Sequence, residues 1–261
     1  MPSSFLGEPA KACGGGVGAV GAALGLLLAA ASCTSPSPAR RPAMDAATWQ
    51  SLRTALDAER AAGPRSPWAA GLRMTMQEPR TGRTLDGRGA LAVAPGRALR
   101  MILVGPAGTT MLDAWATATR WRIAVPPAGV LRRGGADEPA ELPVGFLRWL
   151  FFRPLEGALF GGSRGPDETV FLLRDGEAVV EVRLGRCERG ELAATTRRID
   201  GRAEKLEVCR HASGAPEAGD WARYENEATR LRIDLTLESV GSTPPDQEAF
   251  VDPDRAPEAP R

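Results

Sequence analysis

Residues 85–125 decide the fold, with the sequence LDGRGALAVAPGRALRMILVGPAGTTMLDAWATATRWRIAV. Within this stretch, apolar side chains recur at every second position in three segments: Leu91 and Val93; Leu99, Met101 and Leu103; and Trp121, Ile123 and Val125. A period of two residues is typical of β-strands, and the short Gly/Pro joints at 94–96 and 105–108 are typical of turns. With a further strand at 109–116, the stretch predicts an up-and-down antiparallel meander.

The middle strand of this meander is apolar on both of its faces. Leu99, Met101 and Leu103 occupy one face, while Ile102 and Val104 accompany Arg100 on the other. An antiparallel sheet with one face in water is polar on that face. The pattern therefore predicts a sheet that is covered on both faces or that encloses apolar material.

Two helices and a second meander complete the predicted architecture. Asp45 is a candidate N-cap for an amphipathic helix at 45–60 that ends before Gly63-Pro64. We expect this helix to pack on the sheet or to plug one opening of a barrel. Residues 142–155, LPVGFLRWLFFRPL, form a second helix that is apolar on nearly every side. Such a helix is buried as ordinary core, lies on a membrane or lines an apolar cavity. Hairpin signals after residue 168 bring the total to about eleven strands.

The cysteines predict one disulfide. Cys13 and Cys33 lie in or beside an N-terminal export segment, which leaves Cys187 and Cys209 as an even pair in an oxidising compartment. A two-residue turn at Asp200-Gly201 would place Cys209 opposite Leu192, next to the joint that holds Cys187. We therefore favour a Cys187–Cys209 bridge. Four cysteines and a single histidine do not predict a metal site, and no cofactor is expected.

The N-terminus predicts a lipid anchor. An apolar run at 17–31 ends in Ala30-Ala31-Ser32-Cys33, which resembles a bacterial lipobox. The alternative, an uncleaved membrane span, needs about 20 apolar residues, more than this run supplies. We predict cleavage before Cys33 and acylation of its thiol. Thr34 is not the aspartate that retains lipoproteins in the inner membrane, so we expect the outer membrane, with the body facing the periplasm.

Charge and composition argue against nucleic-acid binding and against an enzyme. The formal net charge is +1, so the chain has no bulk positive field. His211 is the only histidine and follows a predicted strand, where we expect a solvated surface imidazole. No G-x-S-x-G elbow occurs. We therefore predict a non-enzymatic protein.

Two of these motifs resemble a known family. The segment LVGPAGTTML at 103–112 and the Phe-Leu-Arg-Trp-Leu helix at 146–150 are similar to the LolA/LolB family of bacterial lipoprotein-sorting proteins. The resemblance implies a mainly β fold, an incomplete antiparallel barrel lidded by helices, with acyl chains held in an apolar cavity. It covers about residues 45–240.

The resemblance also implies site residues and partners. The cavity would be lined by apolar residues of the middle strands and the inserted helix: Leu91, Leu99, Met101, Leu103, Phe146, Leu147 and Leu150. Pro106 and Ala107 occupy the loop that delivers cargo to the membrane in this family. In the family, a leucine stands at the position of Ala107. Burial of alanine stabilises by about 2 kcal/mol less than burial of leucine. The implied partners are lipid or lipoprotein acyl chains and a LolA-like periplasmic carrier, with the protein itself a monomer.

These observations give one domain plan and two candidate functions. We expect a signal peptide at 1–32, a lipid-anchored tether at 33–44, a half-barrel domain at 45–240 and a Pro-rich, mostly disordered tail at 241–261, with Phe250-Val251 as a docking point. The first function is an outer-membrane lipoprotein that binds acyl chains in envelope lipid or lipoprotein trafficking. The alternative is a structural or interaction lipoprotein that uses the same fold without a ligand. An apolar pocket of several hundred Å3 would favour the first.

Overall fold

The computed structural model describes residues 44–77, 82–135, 144–152, 155–211 and 214–254. The predicted signal peptide, Cys33 and all of the tether except Met44 lie outside the described residues, as do 142–143 at the start of the apolar segment. Residues 43–261 form a compact unit that contains both helices and the described sheet. Neither described helix is long and apolar enough to cross a bilayer.

Thirteen strands and two α-helices make up the described chain. The first helix, α1, spans Ala46–Ala61, and the second, α2, spans Val144–Phe152. The strands are β1 (Trp68–Gln77), β2 (Thr84–Ala94), β3 (Ala98–Val104), β4 (Thr110–Thr117), β5 (Arg120–Val125), β6 (Val130–Gly135), β7 (Ala158–Arg164), β8 (Thr169–Asp175), β9 (Ala178–Cys187), β10 (Gly190–Ile199), β11 (Arg202–His211), β12 (Trp221–Asn226) and β13 (Leu231–Val240).

All thirteen strands belong to a single antiparallel sheet. Its order is β6-β5-β4-β3-β2-β1-β13-β12-β11-β10-β9-β8-β7, so the two meanders meet where β1 pairs with β13. The edge strands β6 and β7 are not paired with each other, and the sheet stays open. The predicted class, a mainly β, incomplete antiparallel barrel with an N-terminal helix and an inserted helix, is confirmed.

The predicted strand number, about eleven, is too low. Residues 130–135, which follow Pro126-Pro127 and are not predicted to be a strand, pair fully with β5 and form β6. Strand β7 was missed because Gly161 and Gly162 interrupt its alternation, and the register shifts between Leu159 and Gly161. Glycine weakens a strand pattern because it has no side chain to pack, although it accommodates a bulge.

Local turn chemistry sets the hairpin registers. At the β10–β11 turn, Asp200 and Gly201 both adopt positive φ angles, 50° and 75°, and Ile199 pairs with Arg202. This two-residue turn requires positive φ at both positions, which Asp-Gly provides at low cost. The pairing places Leu192 opposite Cys209, as predicted.

The sheet carries two separate hydrophobic cores, one under each helix. Leu52 and Leu56 of α1 pack on a cluster from β8 and β9 that includes Phe171 and Val182. Phe146 and Leu147 of α2 belong to the larger cluster, which draws on β1–β5 and β11–β13. The two helices therefore cover different parts of one sheet. The seam between their cores runs along β10 and β11.

The second face of the middle strands is covered by the C-terminal segment. A 3-10 turn at Gln247–Phe250 lies against β2 and β3, and the Trp115 indole N–H donates to the Phe250 carbonyl at 2.9 Å. Trp115 is 3 % exposed and lies opposite Arg100 in the sheet register. The prediction of a mostly disordered tail therefore does not describe residues 241–254, whereas docking at Phe250 is observed. Residues 255–261 lie outside the described part of the chain.

Candidate functional site

The larger of two apolar cavities lies beside the seam, between the end of α1, one side of α2 and strands β1, β2 and β11–β13. Its volume is about 620 Å3, within the roughly 300–1,000 Å3 typical of small-molecule sites. The apolar walls include residues from six parts of the chain: Trp68; Val93 and Pro95; Leu150 and Phe151; Val208; Ala222; and Leu235 and Leu237. Trp68 and Phe151 pack edge to face, with ring centroids 5.9 Å apart.

A second cavity of about 420 Å3 adjoins the first. The two share Leu150, Val208 and Ala62 as walls, together with Arg60 and Arg210. Leu155, Leu184 and Leu206 add apolar surface to the smaller cavity. Leu150, which is partly buried and packs against the core under α2, forms a wall of both cavities. We call the two adjoining cavities the seam cavities, because the smaller one lies along β10 and β11.

A wider polar groove of about 750 Å3 lies beside these cavities, near the β9–β10 turn. It shares Glu59, Leu184, Ala193 and Arg210 with the smaller cavity. Most of its other lining residues are charged or glycine: Arg164, Asp167, Glu168, Arg186, Glu188, Arg189 and Glu191, with Gly165, Gly185 and Gly190. A hydrocarbon chain gains nothing from such walls, so this groove is not a candidate acyl site.

A polar cluster holds the segment that forms one wall of the larger cavity. Asp220, which is 7 % exposed, accepts hydrogen bonds from the backbone N–H groups of His211 (3.1 Å) and Glu217 (2.9 Å). His211 Nδ1 lies 2.8 Å from the same carboxylate. The predicted solvated imidazole is therefore wrong: His211 is 27 % exposed and ties β11 to the residues before β12. Asp220 gave no sequence signal, because nothing local indicates that it is buried.

The predicted disulfide braces the neighbouring end of the sheet. Cys187 and Cys209 are bonded, with their Cα atoms 6.1 Å apart, so the bridge joins β9 to β11 across β10. Next to it, the Trp221 indole N–H donates to Glu188 at 2.8 Å, and this hydrogen bond lowers the pKa of the Glu188 carboxyl. The disulfide prediction is confirmed.

Six of the seven predicted cavity residues lie in the packed core. Leu91, Leu99, Met101, Leu103, Phe146 and Leu147 are at most 8 % exposed, and all belong to the cluster under α2. None of the six lines the two seam cavities, whereas Leu150 lines both. Sequence alternation identified the buried face correctly but did not distinguish packed positions from open ones. Val208 and Trp68 were missed because they lie outside the stretch that suggested the fold.

The predicted delivery loop is exposed at the opposite end of the middle strands. Pro106 and Ala107 form the tip of the β3–β4 hairpin, where the Gly108 N–H donates to Gly105 O at 3.0 Å. Strand order places several exposed apolar side chains at this same end: Leu85, Val104, Met111, Val130 and Leu131. We call these five residues with Pro106 and Ala107 the hairpin-end patch. The larger cavity reaches Pro95, at the other end of β2.

Solved structures with a similar arrangement include a candidate outer membrane lipoprotein-sorting protein domain from Vibrio parahaemolyticus, with a TM-score of 0.47 and 12 % identity over 76 % of this chain and 95 % of that one. A LolA superfamily protein from Nitrosomonas europaea has a TM-score of 0.44 and 9 % identity, over 78 % of this chain and 98 % of that one. A DUF1329 family protein from Desulfovibrio piger has a TM-score of 0.44 and 11 % identity, over 77 % of this chain and 95 % of that one.

These are likenesses of fold alone. With TM-scores below 0.5, none of them indicates what this chain binds. No protein-family model matches the sequence, and comparison with curated proteins gives no match. The geometry of the seam is therefore the basis for assigning a function.

Proposed function

We propose that this protein is an outer-membrane lipoprotein, anchored through Cys33, that binds an acyl chain of a lipid or lipoprotein in the seam cavities. The observation that carries the proposal is the pair of adjoining cavities, about 620 and 420 Å3, walled by apolar side chains from both helices and the sheet. Concave sites of this size that are lined mainly by apolar side chains are where proteins bind small ligands.

The physical chemistry of the walls favours a hydrocarbon ligand. Each methylene group transferred from water to an apolar site contributes about 0.8 kcal/mol. Only part of that gain appears as affinity, since binding also orders the chain and the partner. We therefore expect micromolar affinity, about −8 kcal/mol, for one fatty chain.

The rest of the proposed role concerns the membrane and a partner. The hairpin-end patch, with Leu85 at 52 % and Leu131 at 46 % exposure, would rest on the membrane that holds the anchor. Exposed large apolar side chains that gather at one end of a sheet are characteristic of interaction sites. A LolA-like periplasmic carrier is the proposed source of the acyl chains.

The test is binding of a fluorescent fatty acid to the compact unit of residues 43–261. Wild type should bind in the micromolar range, and Leu150→Glu should weaken binding at least about tenfold, because the carboxylate enters an apolar cavity at a cost of several kcal/mol. Leu85→Glu, on the hairpin-end patch, is the matched control and should bind like wild type. Thermal melts of all three proteins check that each is folded.

A ligand-free scaffold is the second candidate, favoured by the dense packing of Leu91, Leu99 and Met101, each 0 % exposed. If folded wild type binds no fatty acid, and organic extracts of protein purified from its native membrane contain no bound lipid by mass spectrometry, the scaffold function replaces the carrier function.

A further inference from the structure

Charge is unevenly distributed around the larger cavity. Among the described residues, its lining includes three arginines, Arg60, Arg65 and Arg210, and one acidic residue, Asp220. The cavity walls themselves are apolar, so these four groups determine what kind of head group a bound chain can carry.

Two of these four charged groups, Arg210 and Asp220, already have partners inside the protein. Arg210 lies between two carboxylates, with Glu59 3.3 Å from its Nη2 and Glu191 3.3 Å from its Nε. Asp220 accepts the two backbone N–H groups described above and contacts His211. Arg210 is therefore balanced by carboxylates, and the oxygens of Asp220, which is 7 % exposed, are engaged by donors inside the protein.

The other two arginines, Arg60 and Arg65, are not held between carboxylates as Arg210 is. Arg60 donates to the neutral carbonyl oxygens of Leu155 (3.1 Å) and Gly157 (2.6 Å), and its ion pair with Asp57 is 4.0 Å long and exposed. Arg65, which is exposed, makes no hydrogen bond or ion pair within the described residues. Positive charge therefore remains where α1 ends and the chain passes the cavity.

From this arrangement we propose that the larger cavity takes an amphiphile with an anionic head group, a carboxylate or a phosphate, whose hydrocarbon chain enters the seam. Arg65 contacts the head group and Arg60 adds to the local positive potential. A guanidinium group suits both head groups, because its planar fork of N–H donors matches carboxylate and phosphate oxygens. The proposal rests on the proposed function and adds the head-group class.

The experiment compares three ligands with the same twelve-carbon chain on residues 43–261: dodecanoate, dodecyl phosphate and dodecanol. Both anions should bind about tenfold more tightly than dodecanol, a preference that weakens with added salt because exposed charges are screened. Arg65→Glu should remove the preference without changing dodecanol affinity. Arg53→Glu, a control on α1 whose arginine lines neither cavity and has no partner among described residues, should keep it.

The outcomes distinguish the head-group proposal from the proposed acyl-chain binding. If dodecanol binds and the anions bind no more tightly, the head-group proposal fails while the acyl site stands. If none of the three binds folded protein, the proposed function itself fails. Inorganic phosphate that competes with dodecyl phosphate but not with dodecanol supports a head-group site. Phosphate binding without any binding of dodecanol or dodecanoate would show an ion site and overturn the proposal.

Discussion

At the residue scale, a network of alternating acidic and basic side chains holds the C-terminal segment against the sheet. Asp254 accepts hydrogen bonds from Arg122 Nε at 2.7 Å and from Arg133 Nη2 at 2.6 Å. Arg122 also donates to Asp113, which pairs with Arg100 at 3.1 Å. Hydrogen bonds from Arg122, and then from Arg133, hold the pKa of the Asp254 carboxyl below its ordinary value of 3.8. Neighbouring strands thus share one network with the tail.

Replacing Asp254 by Asn should destabilise the protein by about 1 kcal/mol, because Asp254 and Arg133 are 28 % and 58 % exposed and solvent screens their interaction. A folded pKa below the unfolded value contributes stability above the unfolded pKa, and that stability is lost as pH falls through the folded pKa. The difference in Tm between wild type and Asp254→Asn should therefore be full at pH 7 and shrink below pH 3.8.

Thermal melts across this pH range provide the measurement. Asp167→Asn, an exposed carboxylate with no partner among the described residues, is the control and should follow wild type at every pH. A difference between wild type and Asp254→Asn that persists undiminished in acid would contradict the ionic role.

At the element scale, the close approach of β2 and β3 has a sequence requirement. Gly89 pairs with Leu103, and a Cβ atom placed on Gly89 would overlap the carbonyl of Ile102. That carbonyl is main chain and cannot rotate away as a side chain would. Glycine is needed here for close backbone approach, not for a turn.

Gly89→Ala should lower stability by about 1–3 kcal/mol, as expected when a methyl group is forced into packed backbone. For a domain of this size, the Tm should fall by roughly 2–4 °C per kcal/mol. Gly185→Ala on β9 is the matched strand control, because the nearest atom to its added Cβ would be 3.8 Å away. Equal melting temperatures for the two variants would mean that β2 and β3 adjust freely.

At the scale of the whole molecule, one sheet serves two cores. Each helix is too small to cover thirteen strands: α1 has 16 residues and α2 has 9. They cover separate areas, and the two cavities lie where α1 ends and beside α2. The apolar character of α2 follows from this position, since Leu147 is buried in the core while Leu150, three residues on, faces the seam.

The predicted membrane anchor at Cys33 lies outside the described residues and is tested in the intact chain. Cys33→Ala should block acylation and move the protein from the membrane to the soluble periplasmic fraction, because the lipid supplies the stable anchor. Cell fractionation with immunoblotting makes the measurement, and Cys13→Ala, upstream of the predicted cleavage site, should leave the distribution unchanged. Membrane recovery of Cys33→Ala equal to wild type would refute the anchoring prediction.

Local chemistry was enough to predict much of this protein. The Asp200-Gly201 turn determined its own register, because only that register closes a two-residue loop, and the register brought Cys209 near Cys187. Alternation identified the buried face at Leu99 and Met101, since residues two apart point the same way from a strand. Sequence by itself therefore determined eleven of the thirteen strands, both helices and the disulfide.

Only the tertiary structure decided where the site lies. The cavity is walled by Trp68, Leu150 and Val208, which are far apart in the chain and have no shared local pattern. Hydrophobicity favours burial equally at packed and open positions, so it does not reveal which apolar side chains meet others and which meet space. That outcome depends on how far each helix extends over the sheet, a property of the assembled chain, and the same geometry brings Arg60 and Arg65 to the edge of the cavity.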